Sequence, residues 1–244
     1  MELFLVTRLD QWYPNRSTML MLLDNIPTNE ANRIKQYLQE QDIPNCAKES
    51  AIGWLLVLHR IILPNHLNLT AISRTNTGKP YLNRFPFNLS HDYPTVALLV
   101  DSNNPTNQVG IDLVTIELNY SLDDYRSIFD PIEWGYITTN RDFFDILWSL
   151  KESYIKATGE GLSIKGGLNS IVFHFHTTVV MNNTWISPSY VTYLGKPMVN
   201  VHFYTIKYCL NNVCSIISLC SNSPVTTLRI TTMEVTRFID HMIG

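Results

Sequence analysis

Apolar residues along this chain recur at two spacings, and the places where the spacing changes mark out its elements. Phe143, Phe144, Ile146, Leu147, Trp148, Leu150, Tyr154, Ile155 and Ala157 fall on one broad arc at 3.6 residues per turn. Asp145, Ser149, Glu152 and Lys156 gather opposite, and Gly159 supplies a stop, so the pattern predicts an amphipathic helix. A second helix is predicted after Pro44, through Ala47, Ala51, Leu55, Leu58 and Ile62, ending before Pro64. A shorter one starts near Thr28 and carries Ala31, Ile34, Tyr37 and Leu38.

Strand-like runs fill much of the remainder. Leu3 to Thr7, Phe87 to Ser90 and Thr95 to Val100 belong to the first half, with extended chain around Ala71 to Ser73 and a turn at Thr77-Gly78-Lys79-Pro80. After the polar stretch Asp101 to Gln108 comes Val109 to Ile116, with Val109, Ile111 and Leu113 on one face and Gly110, Asp112 and Val114 on the other. Further strands are predicted at Ile171–Thr178, Val199–Tyr208, Val213–Cys220 and Leu228–Val235, the middle two joined by a hairpin turn at Asn211-Asn212, and the last followed by a short tail. Strands and helices do not alternate regularly, so the expected class is α+β, divided into residues 1–108 and 109–244. No repeat is visible at the residue level.

Composition narrows the function classes. With 45% hydrophobic and 11% aromatic residues in 244, the chain can build a substantial core, and its longest apolar runs are far shorter than a membrane span. A formal net charge of −3 with no Lys/Arg block argues against nucleic acid as partner. No export or membrane anchoring is expected. Cys46, Cys209, Cys214 and Cys220 have a spacing that fits neither a disulfide framework nor a zinc site, so a reduced cytoplasmic protein is the expectation.

Several residues suggest chemistry. Lys151 projects from within the apolar arc of its helix, where an unpaired ammonium is costly, so it should meet an anion. Glu152 and Lys156 are i,i+4 neighbours, by themselves an ordinary surface pair, and Asp112 by itself reads as an edge carboxylate facing water. Arg74-Thr75-Asn76-Thr77-Gly78-Lys79-Pro80 sets two cations around a glycine turn, suited to phosphate and equally to a solvent loop. Asn88-Leu89-Ser90-His91 brings amide, hydroxyl and imidazole to a strand end. His174 and His176 share a strand face but lack an acidic or cysteine partner nearby, and surface positions are expected for them.

Occurring together and in order, these segments resemble the 4′-phosphopantetheinyl transferase superfamily, in its larger monomeric type, closest to the eukaryotic α-aminoadipate reductase (L-aminoadipate-semialdehyde dehydrogenase) branch. The likeness rests on Ala47 to Gly53, Arg74 to Pro80, Asn88 to His91, Val109 to Asp112 and, most specifically, Trp148 to Lys156. It implies two similar α/β lobes related by a pseudo-twofold, with coenzyme A between them. It also implies that Arg74, Thr75, Gly78, Lys79, Asn88, Ser90 and His91 hold the nucleotide and its 3′-phosphate. Asp112 and Glu152 would hold Mg²⁺, while Lys156, with Lys151 as a second contact, would meet the pyrophosphate.

The implied reaction is attack by a carrier-protein serine on the β-phosphate of coenzyme A, with either Glu152 or a metal-bound water taking the proton. The resemblance favours α-aminoadipate reductase of lysine biosynthesis as the apo carrier and a monomeric enzyme. Two departures stand out. Val114 occupies the position where many relatives carry a further carboxylate, and Asn45-Cys46 replaces a customary arginine, for which Lys48 is a weak substitute. Glu133, before Trp134, matches a family habit and is read as structural support. Val114 keeps open a rival reading, a coenzyme A or adenine nucleotide binding module with a decayed metal site and no transfer activity.

Overall fold

The computed structural model describes residues 1–38, 43–116, 121–175, 184–210 and 213–243. It confirms the α+β class, and the chain divides into two compact units that are not contiguous in sequence. One comprises Met1–Arg74, Pro80–Pro105 and Thr227–Gly244, the other Thr75–Lys79 and Thr106–Thr226.

The first unit is built on β1 (Glu2–Thr7), β4 (Phe87–Asp92), β5 (Thr95–Val100) and β12 (Arg229–Glu234), in the order β12-β1-β5-β4. β5 is buried at every residue, as its unbroken apolar run requires, and pairs antiparallel with both β1 and β4. β12 runs parallel to β1, with Glu2 opposite Arg229, so residues expected with the second half close the sheet of the first. α1 (Arg16–Leu23), α2 (Thr28–Lys35) and α3 (Asn45–Val57) share this unit with the short hairpin β2 (Ser73–Arg74) and β3 (Pro80–Tyr81). α3 packs on β4 and β5 and is apolar nearly all round, which is the pattern of a helix buried on most sides. It runs on into a wider π turn, Leu58–Ile62.

The second unit holds a sheet of β6 (Val109–Thr115), β10 (His202–Leu210) and β11 (Val213–Ser221), all antiparallel, in the order β10-β11-β6. α5 (Asp142–Thr158) lies across β6 and β11. α4 (Pro131–Thr139) packs against α5 and against β7 (Ile171–His174), the first strand of a smaller sheet with β8 (Tyr190–Tyr193) and β9 (Lys196–Pro197). Gly110 lets α5 approach, because a Cβ there would stand 2.0 Å from the Ser153 carbonyl oxygen and 2.5 Å from the Ala157 nitrogen.

Three helices go beyond the sequence expectations. α1 follows Met19, Leu22 and Leu23, and α4 starts with a full capping box between Asp130 and Glu133 and proline at its first turn. α6 (Val235–Ile243) replaces the expected tail, burying Val235, Phe238 and Ile239 at helical spacing. The Ser121–Phe129 region winds as a 3-10 turn, Leu122–Ile128. Asn211-Asn212 and His176 lie outside the described residues, although β10 and β11 pair up to Leu210 opposite Val213.

The cysteine expectation is corrected. Cys209 and Cys214 face each other across β10 and β11 and form a disulfide, while Cys46 and Cys220 are free. The hairpin register makes residues five apart direct cross-strand neighbours, a proximity that spacing rules for frameworks do not detect.

Candidate functional site

Two constellations gather the polar residues singled out above, one in each unit. In the second unit the strand period places Gly110, Asp112 and Val114 on the face of β6 that meets α5. On α5 the helical period places Ser149, Glu152 and Lys156 in one row. Ser149 Oγ donates to the Asp112 carbonyl at 3.3 Å, and Lys156 Nζ donates to Asp112 Oδ1 at 2.6 Å. Asp112 is therefore buried against a helix and is not an edge carboxylate in water.

Glu152 shares this environment. Burial pushes its carboxyl above the usual carboxylate range, the negative charge of Asp112 pushes the same way, and Lys156 partly opposes both. Two acids held in each other's field, with hard oxygen donors, form a donor set that suits a divalent cation such as Mg²⁺. Val114 lies on the same face opposite Ile216, so an aliphatic side chain stands two residues beyond Asp112. Among the described residues no group of three or more His, Cys, Asp or Glu converges. His174 stacks on Tyr190 with ring centroids 4.0 Å apart.

Lys151 does meet an anion, but its assignment to the pyrophosphate is corrected. The side chain is 0% exposed and pairs at 2.8 Å with Glu133, itself 0% exposed. Its ammonium also donates to the carbonyls of Leu168, at 3.0 Å, and Ile171, which accounts for all three N–H donors. Glu133 accepts in addition from the backbone N–H of Phe173 and of Asp130, each at 3.0 Å. Burial pulls the lysine down and pushes the glutamate up, and the opposite charge beside each works against that. The pair ties α4, α5 and β7 together and leaves no ammonium for a ligand.

Lys79 is also committed to the scaffold. Its Nζ donates to the Ala157 carbonyl at 2.6 Å and the Val109 carbonyl at 3.1 Å, joining the last turn of α5 to the start of β6. Burial lowers its pKa to about 8. The turn before it closes on itself: Thr75 N–H donates to the Lys79 carbonyl, Lys79 N–H to Thr75 Oγ1, and Gly78, at φ 88°, donates to the Thr75 carbonyl. This turn belongs to the second unit, not to the nucleotide group of the first half.

In the first unit a concave pocket of about 180 Å³ is lined by Glu30, Arg33, Glu49, Trp54, Arg74 and His91, among others. His91 Nδ1 lies 3.3 Å from Glu49 Oε2. Arg74 Nη2 donates to Glu30 Oε1, and the guanidinium sits 5.9 Å from the centre of the Trp54 ring. Alternation along β4 puts Leu89 and His91 on the pocket side, and Asn88 and Ser90 on the other; Ser90 is only 2% exposed. Asn88 and Ser90 thus shape the strand and do not line this pocket. Glu30 and Glu49 were not among the expected site residues. Glu30 had no local signal beyond its place in the first turn of α2, whereas Glu49 stands inside a segment that carried the family resemblance.

Residues 108–209 match the profile of the 4′-phosphopantetheinyl transferase superfamily, and residues 10–103 match that of the 4′-phosphopantetheinyl transferase N-terminal region. The chain is 33% identical over 181 residues to the human L-aminoadipate-semialdehyde dehydrogenase-phosphopantetheinyl transferase, covering 63% of this chain and 55% of that protein. The similarly named protein of Schizosaccharomyces pombe is 29% identical over 188 residues, 67% of this chain and 70% of its own length. A phosphopantetheinyl transferase of Thraustochytrium is 30% identical over 179 residues, covering 64% of this chain and 60% of that one. The chain spans about half the length of the human relative it matches.

Proposed function

We propose that this chain, which belongs to the 4′-phosphopantetheinyl transferase superfamily, transfers the phosphopantetheine arm of coenzyme A to a serine of an apo carrier domain. Adenosine 3′,5′-bisphosphate is the other product. The observation that carries this reading is the convergence of Asp112, Glu152 and Lys156 on one strand–helix face. Asp112 and Glu152 would hold Mg²⁺, which when bound neutralises charge on the pyrophosphate.

The serine oxygen attacks the β-phosphorus, the bond from that phosphorus to the bridging oxygen breaks, and the electron pair leaves with the nucleotide. The serine proton passes to a base, for which Glu152 is the candidate within this group. Lys156 lies against Asp112 with its ammonium partly exposed, where it serves the charge that develops on the leaving oxygen. Arg74 and His91 take the nucleotide and its 3′-phosphate in the pocket of the first unit. Ser149 and the buried Lys151–Glu133 pair hold α5 in the register that presents Glu152 and Lys156.

The names of the relatives point to L-aminoadipate-semialdehyde dehydrogenase as the source of the carrier domain, and we place the reaction in lysine biosynthesis. No described helix is long and apolar enough to cross a membrane. We place the protein in the cytoplasm as a monomer.

Incubation with coenzyme A, Mg²⁺ and an apo carrier domain tests the reading. The carrier should gain the mass of phosphopantetheine, and Glu152→Gln should abolish the gain. Val114 favours the rival binding module, which predicts retained coenzyme A affinity and no mass gain with the wild type.

A further inference from the structure

Glu30 is a buried carboxylate of the first unit with several partners, and the function proposed above gives it no task. It stands in the first turn of α2 and is 6% exposed. Its Oε2 accepts from Trp54 Nε1 on α3 at 3.2 Å and lies 3.2 Å from Arg33 Nη2. Its Oε1 accepts from Arg74 Nη2 on β2. One carboxylate thus links two helices and a strand around a single pocket.

Arg74 sits on a strand of only two residues, with its side chain 43% exposed, so its own element does little to fix the guanidinium. A free arginine gives up rotamer entropy when it is immobilised on a ligand. A buried acid that already holds the guanidinium removes part of that cost before binding, and Arg74 lines the pocket together with that acid. The indole tie in turn fixes the acid. Because two arginines flank Glu30, its charge is offset locally and does not leave the pocket anionic.

We propose that Glu30 is a positioning residue, which orients Arg74 toward the phosphate of the nucleotide end of coenzyme A. The inference rests on the reading in which Arg74 meets the 3′-phosphate. Glu30→Gln is the informative variant, since the amide oxygen can still accept from the indole while the ionic hold on Arg74 is lost.

Transfer to an apo carrier is followed by mass for wild type, Glu30→Gln, Arg74→Gln and the double variant, with coenzyme A and with 3′-dephospho-coenzyme A as donors. Glu30→Gln should raise KM for coenzyme A about tenfold with kcat within about twofold, the pattern of lost binding alignment. KM for the dephospho donor should stay within about twofold, and in the Arg74→Gln background Glu30→Gln should add nothing. A merely structural glutamate would affect both donors alike, and a competing one would lower KM when neutralised; either result overturns the proposal. If Arg74→Gln itself leaves KM for coenzyme A unchanged, the assignment of Arg74 and this inference fall together. If Arg74→Gln raises it and Glu30→Gln does not, only the positioning role falls.

Discussion

Helices α3 and α5 carry the same tripeptide, Lys48-Glu49-Ser50 and Lys151-Glu152-Ser153, and each lies on the sheet of its own unit, yet the two sites have different chemistry. On α3 the glutamate meets an imidazole, His91 of β4, and the residue four positions on is Gly53. On α5 the glutamate shares its surroundings with a second acid, Asp112 of β6, and the residue four positions on is Lys156. The lysines differ too, since Lys48 approaches the Tyr13 ring at 5.6 Å whereas Lys151 is neutralised by a buried glutamate. A helical segment does not define a site until the strand beneath it supplies the partner. In the function proposed above, the imidazole makes the first glutamate part of the nucleotide pocket, and the carboxylate makes the second part of the metal-holding pair.

The comparison yields predictions in descending size. Lys151→Met leaves Glu133 buried with an uncompensated charge and should cost about 3–5 kcal/mol, whereas Lys48→Met should cost about 1 kcal/mol or less, as judged by urea unfolding. Equal losses would show that the two lysines are not distinguished by their partners. Asp112→Asn should reduce carrier modification by about two to three orders of magnitude without a comparable loss of stability, on the scale of a lost charge-stabilising group.

The glycines separate next. A Cβ at Gly110 runs into α5, so Gly110→Ala should destabilise by about 1–3 kcal/mol. Gly53 is its counterpart: a Cβ there meets only Leu89 and Val96, at 3.6 and 3.7 Å, and Gly53→Ala should be neutral or stabilising by up to about 1 kcal/mol through helix propensity. Differential thermal melts of the two variants check the pair.

A separate effect is in pH. Lys79 has a folded pKa near 8, below its ordinary value, so between about pH 8 and the usual lysine range the unfolded chain binds more protons than the folded one. The contribution of Lys79 to stability should rise with pH across that window, against the fall contributed above about pH 9 by the buried Cys220 thiol, whose pKa burial pushes up. The stability difference between wild type and Lys79→Met should therefore change with pH in the direction of Lys79. The neutral amine keeps two N–H groups for the carbonyls of Val109 and Ala157. A difference between wild type and Lys79→Met that does not change with pH would contradict the burial of its charge.

What the sequence discloses here is local. An unbroken apolar run locates β5, and period-two and period-3.6 patterns locate β6, α3 and α5 and set Asp112 on one face of its strand and Glu152 with Lys156 on one face of their helix. The identity of Lys151's anion depends on Glu133, eighteen positions earlier, and on the fold that sets α4 against α5, which no periodicity encodes. The same holds for Glu30 with Arg74, for the parallel pairing of β12 with β1, and for the shared tripeptide, which stands out only after both helices are seen on their sheets. α6 is the instructive miss, because Val235, Phe238, Ile239 and Met242 carried a legible helical period.

The central claim is that Asp112 and Glu152 hold one divalent ion, a role Glu49 lacks despite its identical tripeptide. The most direct measurement is electron paramagnetic resonance titration of Mn²⁺ into the protein with coenzyme A bound. Asp112→Asn and Glu152→Gln should each weaken binding at least about tenfold, the scale expected on loss of a ligand, and Glu49→Gln should leave it unchanged. Undiminished Mn²⁺ affinity in both second-unit variants, or an equal loss in Glu49→Gln, would contradict it.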